Sequence, residues 1–123
     1  GAFGILIDVA GLRIYHNGSA DLIDAALDGA RADVLLVGLA GRKGTRDYLA
    51  RLCGALAPNL IVPTHHDAFF APLDGGLHLL PGIDLDGFVA EARAHAASAT
   101  VVTPAYDETL AVPRDARAAA FVA

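Results

Sequence analysis

Methionine is absent from this 123-residue chain and cysteine occurs once. A lone cysteine, Cys53, excludes an internal disulfide, and a reduced, cytoplasmic setting is the expectation. Cys53 falls on the apolar side of a helical stretch and reads as a small buried hydrophobe. No segment reaches the roughly 18 continuous apolar residues that a membrane helix needs, so no membrane partner is expected. Basic residues form no stripe. Only Arg42, Lys43 and Arg46 cluster, and the formal net charge is −5, which argues against nucleic acid as a partner. The opening Gly1-Ala2-Phe3-Gly4-Ile5 has no charged leader and no cleavage site. It reads as the start of a piece of a longer protein rather than as a signal peptide.

What is present is apolar: 54% of the residues are hydrophobic. Charges interrupt every run, so the apolar share points to strands covered on both faces, or to an apolar surface that another segment or subunit covers. The length fits one domain, or half of a larger one.

Gly4 to Val9 reads as a strand, Ala10-Gly11 as a turn, and Leu12 to His16 as the returning strand. Ala20 to Leu27 carries apolar residues at helical spacing, with Ser19 as N-cap and Asp21 in the first turn. Asp33 to Leu39 and Asn59 to Pro63 read as strands built on apolar runs. Thr45 is expected to cap a helix running to Leu56 that Pro58 ends. Leu77 to Leu80 reads as a short strand or lid. Asp84 opens another helix, Thr100 to Thr103 forms a last strand, and Thr109 to Val112 pairs with it. Residues 1–112 form the folded unit and 113–123 a tail.

Chemistry concentrates where these strands end. Pro63-Thr64-His65-His66-Asp67 follows the apolar run Leu60-Ile61-Val62, and the C-terminal ends of strands are where open α/β sheets place ligands. Imidazole and carboxylate are zinc-type ligands and acid/base groups. In extended backbone His65 and Asp67 face one way and His66 the other. The bland reading is a polar loop with a hydrogen-bonded histidine. Tyr15-His16-Asn17-Gly18-Ser19-Ala20-Asp21 is a second strand end, where backbone N–H groups and Ser19 can hold an anionic group. There Asp21 is either a metal ligand or a helix-stabilising carboxylate. Gly38 to Gly44 is glycine-rich, but Lys43 precedes Gly44 and Thr45, the wrong order for a phosphate loop. Of the rival architectures, a small flavodoxin-like domain would need an all-parallel sheet with helices on both faces.

The set Arg13-Ile-Tyr-His-Asn-Gly-Ser-Ala-Asp21, Ala32-Asp-Val-Leu-Leu-Val-Gly-Leu39 and Leu60-Ile-Val-Pro-Thr-His-His-Asp-Ala-Phe-Phe70 resembles, in order and spacing, the metallo-β-lactamase-fold hydrolases. The resemblance is to the subgroup similar to ascorbate-phosphate lactonases, and it covers residues 3 to 112. It implies the C-terminal half of a four-layer αββα sandwich, with one mixed sheet and helices on its outer face. Pro63-Thr64-His65 matches the family's Pro-x-His, which makes His65 the implied metal ligand. The family's Gly-Asp is not matched: Ser19 follows Gly18, and Asp21 is the nearest carboxylate for a second ligand position. His16, Ser19, His66 and Asp67, singled out above at the strand ends, are the pocket and substrate-binding candidates. The family's His-x-His-x-Asp-His motif is absent from these residues. The implied function is therefore part of a metal-dependent hydrolase, with zinc or manganese in the complete protein, acting on a small ester, lactone or phosphoester and inactive as this fragment. The alternative is a non-catalytic half-domain that pairs with a missing N-terminal half, or with itself, through an apolar sheet face.

Overall fold

The computed structural model describes residues 3–18 and 20–112. Five strands make one sheet: β1 (Gly4–Val9), β2 (Leu12–Asn17), β3 (Val34–Gly38), β4 (Leu60–Thr64) and β5 (Thr100–Val101), in the spatial order β1-β2-β3-β4-β5. β1 runs antiparallel to β2, and every other neighbour pair is parallel. Helix α1 (Tyr48–Leu56) joins β3 to β4, and α2 (Leu85–His95) lies between β4 and β5.

The hairpin follows from its turn. Ala10 and Gly11 have φ of 53° and 87°, the pair of positive values that matches the twist of the flanking strands. The parallel strands then add one after another in a single direction. With crossovers of one hand, this places every connection on the same face. Accordingly, Tyr15, Leu35, Val37 and Ile61 pack with Leu27, with Leu49, Leu52 and Leu56 of α1, and with Phe88 and Ala92 of α2. Full burial of each large side chain in this layer contributes about 1.5–3 kcal/mol.

The other face has no helix on it among the described residues. Leu12, Val34, Leu60, Val62 and Val102 form a second cluster, flanked by Ile14, Leu36, Leu110 and Val112. The register sets Ile5, Ile7 and Val9 of β1 opposite His16, Ile14 and Leu12, so they extend this face, and all three are exposed. The fold is a mixed α/β sheet with helices on one face, unlike the all-parallel, doubly covered sheet of a flavodoxin-like domain. No helix among the described residues is long and apolar enough to cross a membrane.

Four local expectations are corrected. The helix expected over Ala20 to Leu27 is a single 3₁₀ turn, Asp24–Leu27, entered from Ile23 without a side-chain cap. Its carbonyls are claimed elsewhere: the Thr45 hydroxyl donates to Ala20 O and Asn17 Nδ2 to Asp21 O, while Asp21 Oδ1 accepts from Leu22 N. Those contacts compete with helical bonding. The expected cap Ser19 lies outside the described residues. Thr45 does not cap α1: its hydroxyl donates to Ala20 O, and α1 begins at Tyr48, behind Asp47 in the left-handed region and without a side-chain cap. Leu77 to Leu80 contributes only one antiparallel bridge, Asp67 to Leu79, rather than a strand. The last strand stops at Val101, and Thr109 to Val112 does not pair with it; Leu110 and Val112 instead lie against the second cluster. The expected tail, 113–123, lies outside the described residues.

Candidate functional site

Strands β2, β3 and β4 are parallel, so their C-terminal ends, Asn17, Gly38 and Thr64, stand side by side. Among the described residues, His16 lies near the end of β2, and Asp21, His65, His66 and Asp67 lie in the segments that follow β2 and β4. A buried polar network ties two of these ends together. Asn17 is 4% exposed; its Nδ2 donates to the Tyr48 hydroxyl at 2.8 Å, and that hydroxyl donates to Gly38 O at 3.2 Å. Burial pushes the Tyr48 phenol above its ordinary value, and the Asn17 hydrogen bond partly offsets the rise. The strand ends approach so closely that a Cβ on Gly38 would meet Asn17 O and the Gly18 backbone at 3.1 Å.

His16 is half-buried and lies opposite Ile5 and Leu36, on the face away from the helices. Its imidazole folds back over Gly18, where a Cβ would sit 2.7 Å from His16 Cε1. A side chain at position 18 would have to displace that ring. Ser19 lies outside the described residues. Asp21 is exposed and lines a recess of about 360 Å³ with Phe3, Leu6, Tyr15 and Asn17.

The loop after β4 divides its two histidines. His65 takes a left-handed φ of 52°, is exposed, and stacks on Phe69 with ring centroids 5.5 Å apart. His66 is 8% exposed and turned inward; its Nδ1 has no hydrogen-bond partner, and neither has the buried Oγ1 of Thr64. Unpaired buried polar atoms are rare, which marks this corner as one where a further group would be stabilised. The turn at His65 breaks the simple alternation that had paired His65 with Asp67. The Asp67 carboxylate accepts from the Tyr106 hydroxyl at 3.3 Å. Loss of solvent around Tyr106, reinforced by the Asp67 charge and hydrogen bond, pushes that phenol up. The backbone fastens the loop on both sides: Leu39 N donates to Thr64 O, Ala40 N to His65 O, Leu80 N to His66 O and Ala68 N to His78 O.

These residues do not by themselves form a metal centre. Among the described residues no three His, Cys, Asp or Glu side chains converge as ligands. Asp21 opens into the recess beside β1, whereas the described contact of the His65 ring is with Phe69.

The third loop is basic in sequence but largely neutralised in space. Arg42 pairs with Glu91 and lies 5.9 Å above the Phe88 ring, and Arg46 pairs with Asp47 at 3.1 Å. Cys53 is buried in α1, and desolvation, assisted by Glu91, pushes its thiol up to about 11. A protonated, enclosed thiol is a packing group.

Sequence reasoning passed over Asn17, Tyr48 and Tyr106. Asn17 carried the signal of a turn residue and Tyr48 that of a helix-face hydrophobe. Tyr106 is 39 positions from Asp67 and carried no local signal. Neither family models, nor curated proteins, nor solved structures include a match to this chain.

Proposed function

We propose that this chain is one wall of a metal-dependent hydrolase site and the C-terminal half of a metallo-β-lactamase-like αββα sandwich. The observation that carries the reading is the inequality of the two sheet faces. Helices cover one face, while the other bears His16 at its C-terminal end and exposes Ile5, Ile7 and Val9. A second sheet laid there would bury those side chains and meet the strand ends where His16 and the His65 to Asp67 loop stand. In this reading His65, exposed beside Phe69, is the ligand that this chain contributes, and Asp21 is a weaker candidate because it opens into a different recess. Of the substrate-side candidates, His16 and Asp67 are partly exposed and His66 lies buried, while Ser19 stays a candidate from the sequence alone. The substrate class is a small ester, lactone or phosphoester. The chain alone is inactive, since zinc takes about four ligands and the described residues bring no three together.

The test is a zinc and manganese titration of the longer parent protein beside its His65→Ala variant. Weaker metal binding and parallel loss of esterase or phosphodiesterase activity in the variant support the assignment. Unchanged metal affinity overturns it. The same absence of a ligand cluster favours a second reading, a non-catalytic half-domain that docks a partner. A parent sequence that lacks His-x-His-x-Asp-His upstream of Gly1 would support that reading.

A further inference from the structure

We infer that β1 pairs with β1 of a second copy about a two-fold axis at Leu6, joining two sheets into one. This inference rests on the edge of the sheet and not on the hydrolase reading. β1 is a terminal strand of six residues, and the opposite edge, β5, has only two. Edges are normally protected by charged side chains, proline or a bulge. β1 has no proline and no bulge, since its register with β2 runs unbroken from Gly4 to Val9, and its sequence GILIDV carries a single charge, Asp8.

The hairpin decides which backbone groups the edge presents. A two-residue turn at Ala10-Gly11 makes Val9 and Leu12 the hydrogen-bonded pair that closes the loop. Bonded and non-bonded pairs alternate along an antiparallel ladder. Ile5, Ile7 and Val9 therefore turn their N–H and C=O towards β2, and Gly4, Leu6 and Asp8 turn theirs outward.

Only one two-fold register uses all three outward residues. Centred on Leu6, it sets Leu6 against Leu6, Gly4 against Asp8 and Ile5 against Ile7, and forms about six hydrogen bonds. Centring on Ile7 sets Leu6 against Asp8 and forms about four, as does centring on Ile5. The Leu6 register also places the strand's one charge, already tied through Asp8 Oδ1 to Gly11 N, opposite a glycine. The two Asp8 carboxylates then stand about 14 Å apart, beyond the screening length of physiological salt. Ile5 and Ile7 of both copies, each roughly half exposed in one chain, meet side by side on the open face.

Light scattering across a concentration series, with two cysteine variants and one proline variant, tests the pairing. The wild-type mass should climb from 12.6 kDa towards twice that value. Leu6→Pro removes an outward N–H while leaving the β1–β2 ladder its bonds, and should stay at the single-chain mass. Under a mild oxidant Leu6→Cys should cross-link to a covalent dimer, because a bonded antiparallel pair holds its Cα atoms about 5.5 Å apart. Val9→Cys should not cross-link, since its copy lies roughly 20 Å away. Buried Cys53 is a silent background. A wild-type mass that stays at one chain, equal cross-linking at positions 6 and 9, or an association in which Leu6→Cys fails to cross-link would each overturn the inference. The last is the result that stacking of the open faces would produce. None of these outcomes bears on metal binding by the parent protein.

Discussion

Replacing Tyr48 with phenylalanine isolates one oxygen atom. The side chain is 3% exposed and stays packed at the start of α1 in the core between helices and sheet, so the substitution changes hydrogen bonding and little else. The lost hydroxyl is the 2.8 Å acceptor of Asn17 Nδ2 and a donor to Gly38 O, both in the interior. Removing one partner of a buried hydrogen bond costs about 1–3 kcal/mol, because the group left behind has given up its water. For a chain of this length, each kcal/mol moves the melting midpoint by roughly 4 °C, so Tyr48→Phe should melt about 4–12 °C lower. Urea unfolding should report the same loss with an unchanged m-value. A double-mutant cycle with Asn17→Ala should show about 0.5–3 kcal/mol of coupling between the two sites. A Tyr48→Phe midpoint within a degree of wild type, or purely additive mutants, would refute the claim that this network clamps β2 to β3.

Two further outcomes follow from the same geometry. Tyr15, Tyr48 and Cys53 all have folded-state pKa values raised by burial, so the folded chain holds these protons more tightly than the unfolded chain. Their contribution is fully present below the ordinary thiol value of 9.0 and declines as pH rises towards about 11, first through Cys53. Melting midpoints should therefore be level from neutral pH to about 9 and fall above it, less steeply in Cys53→Ala; a midpoint that rises over that range contradicts the assignment. Gly18→Ala places a methyl 2.7 Å from His16 Cε1 and should expel the imidazole from its position over the turn. The His16 ring-proton resonance would shift in NMR spectra while those of His78 and His95 stay in place, and an unmoved His16 signal would show that the ring is not held there.

The elements that could be read from the chain are those whose cause is local. The Ala10-Gly11 turn between alternating strands specifies the hairpin. The apolar runs Val34–Gly38 and Leu60–Thr64 are strands, buried on both faces in the sheet centre. Asp84 caps α2 by accepting from Gly87 N, as an N-cap aspartate does. The segment from Ala20 to Leu27 defied the same reading because its competitors, Asn17 and Thr45, come from other elements. At the candidate site, the chain indicated which residues crowd the end of β4 but not how they divide. The left-handed turn at His65 leaves that ring outside on Phe69 and buries His66, and the Tyr106 hydroxyl reaches Asp67 from a distant segment.

By itself, the amino-acid order determined an α/β chain in which His16, Asp21 and the His65 to Asp67 loop fall at or just after strand ends. Periodicity and turn chemistry act over a few residues, and those positions follow from them. Tertiary structure alone decided that the helices share one face, that no helix among the described residues covers the other, and that no three ligand-type side chains among the described residues gather at the strand ends. Those outcomes depend on the direction in which strands add to a sheet and on which carbonyls distant side chains claim, and neither is encoded in local spacing.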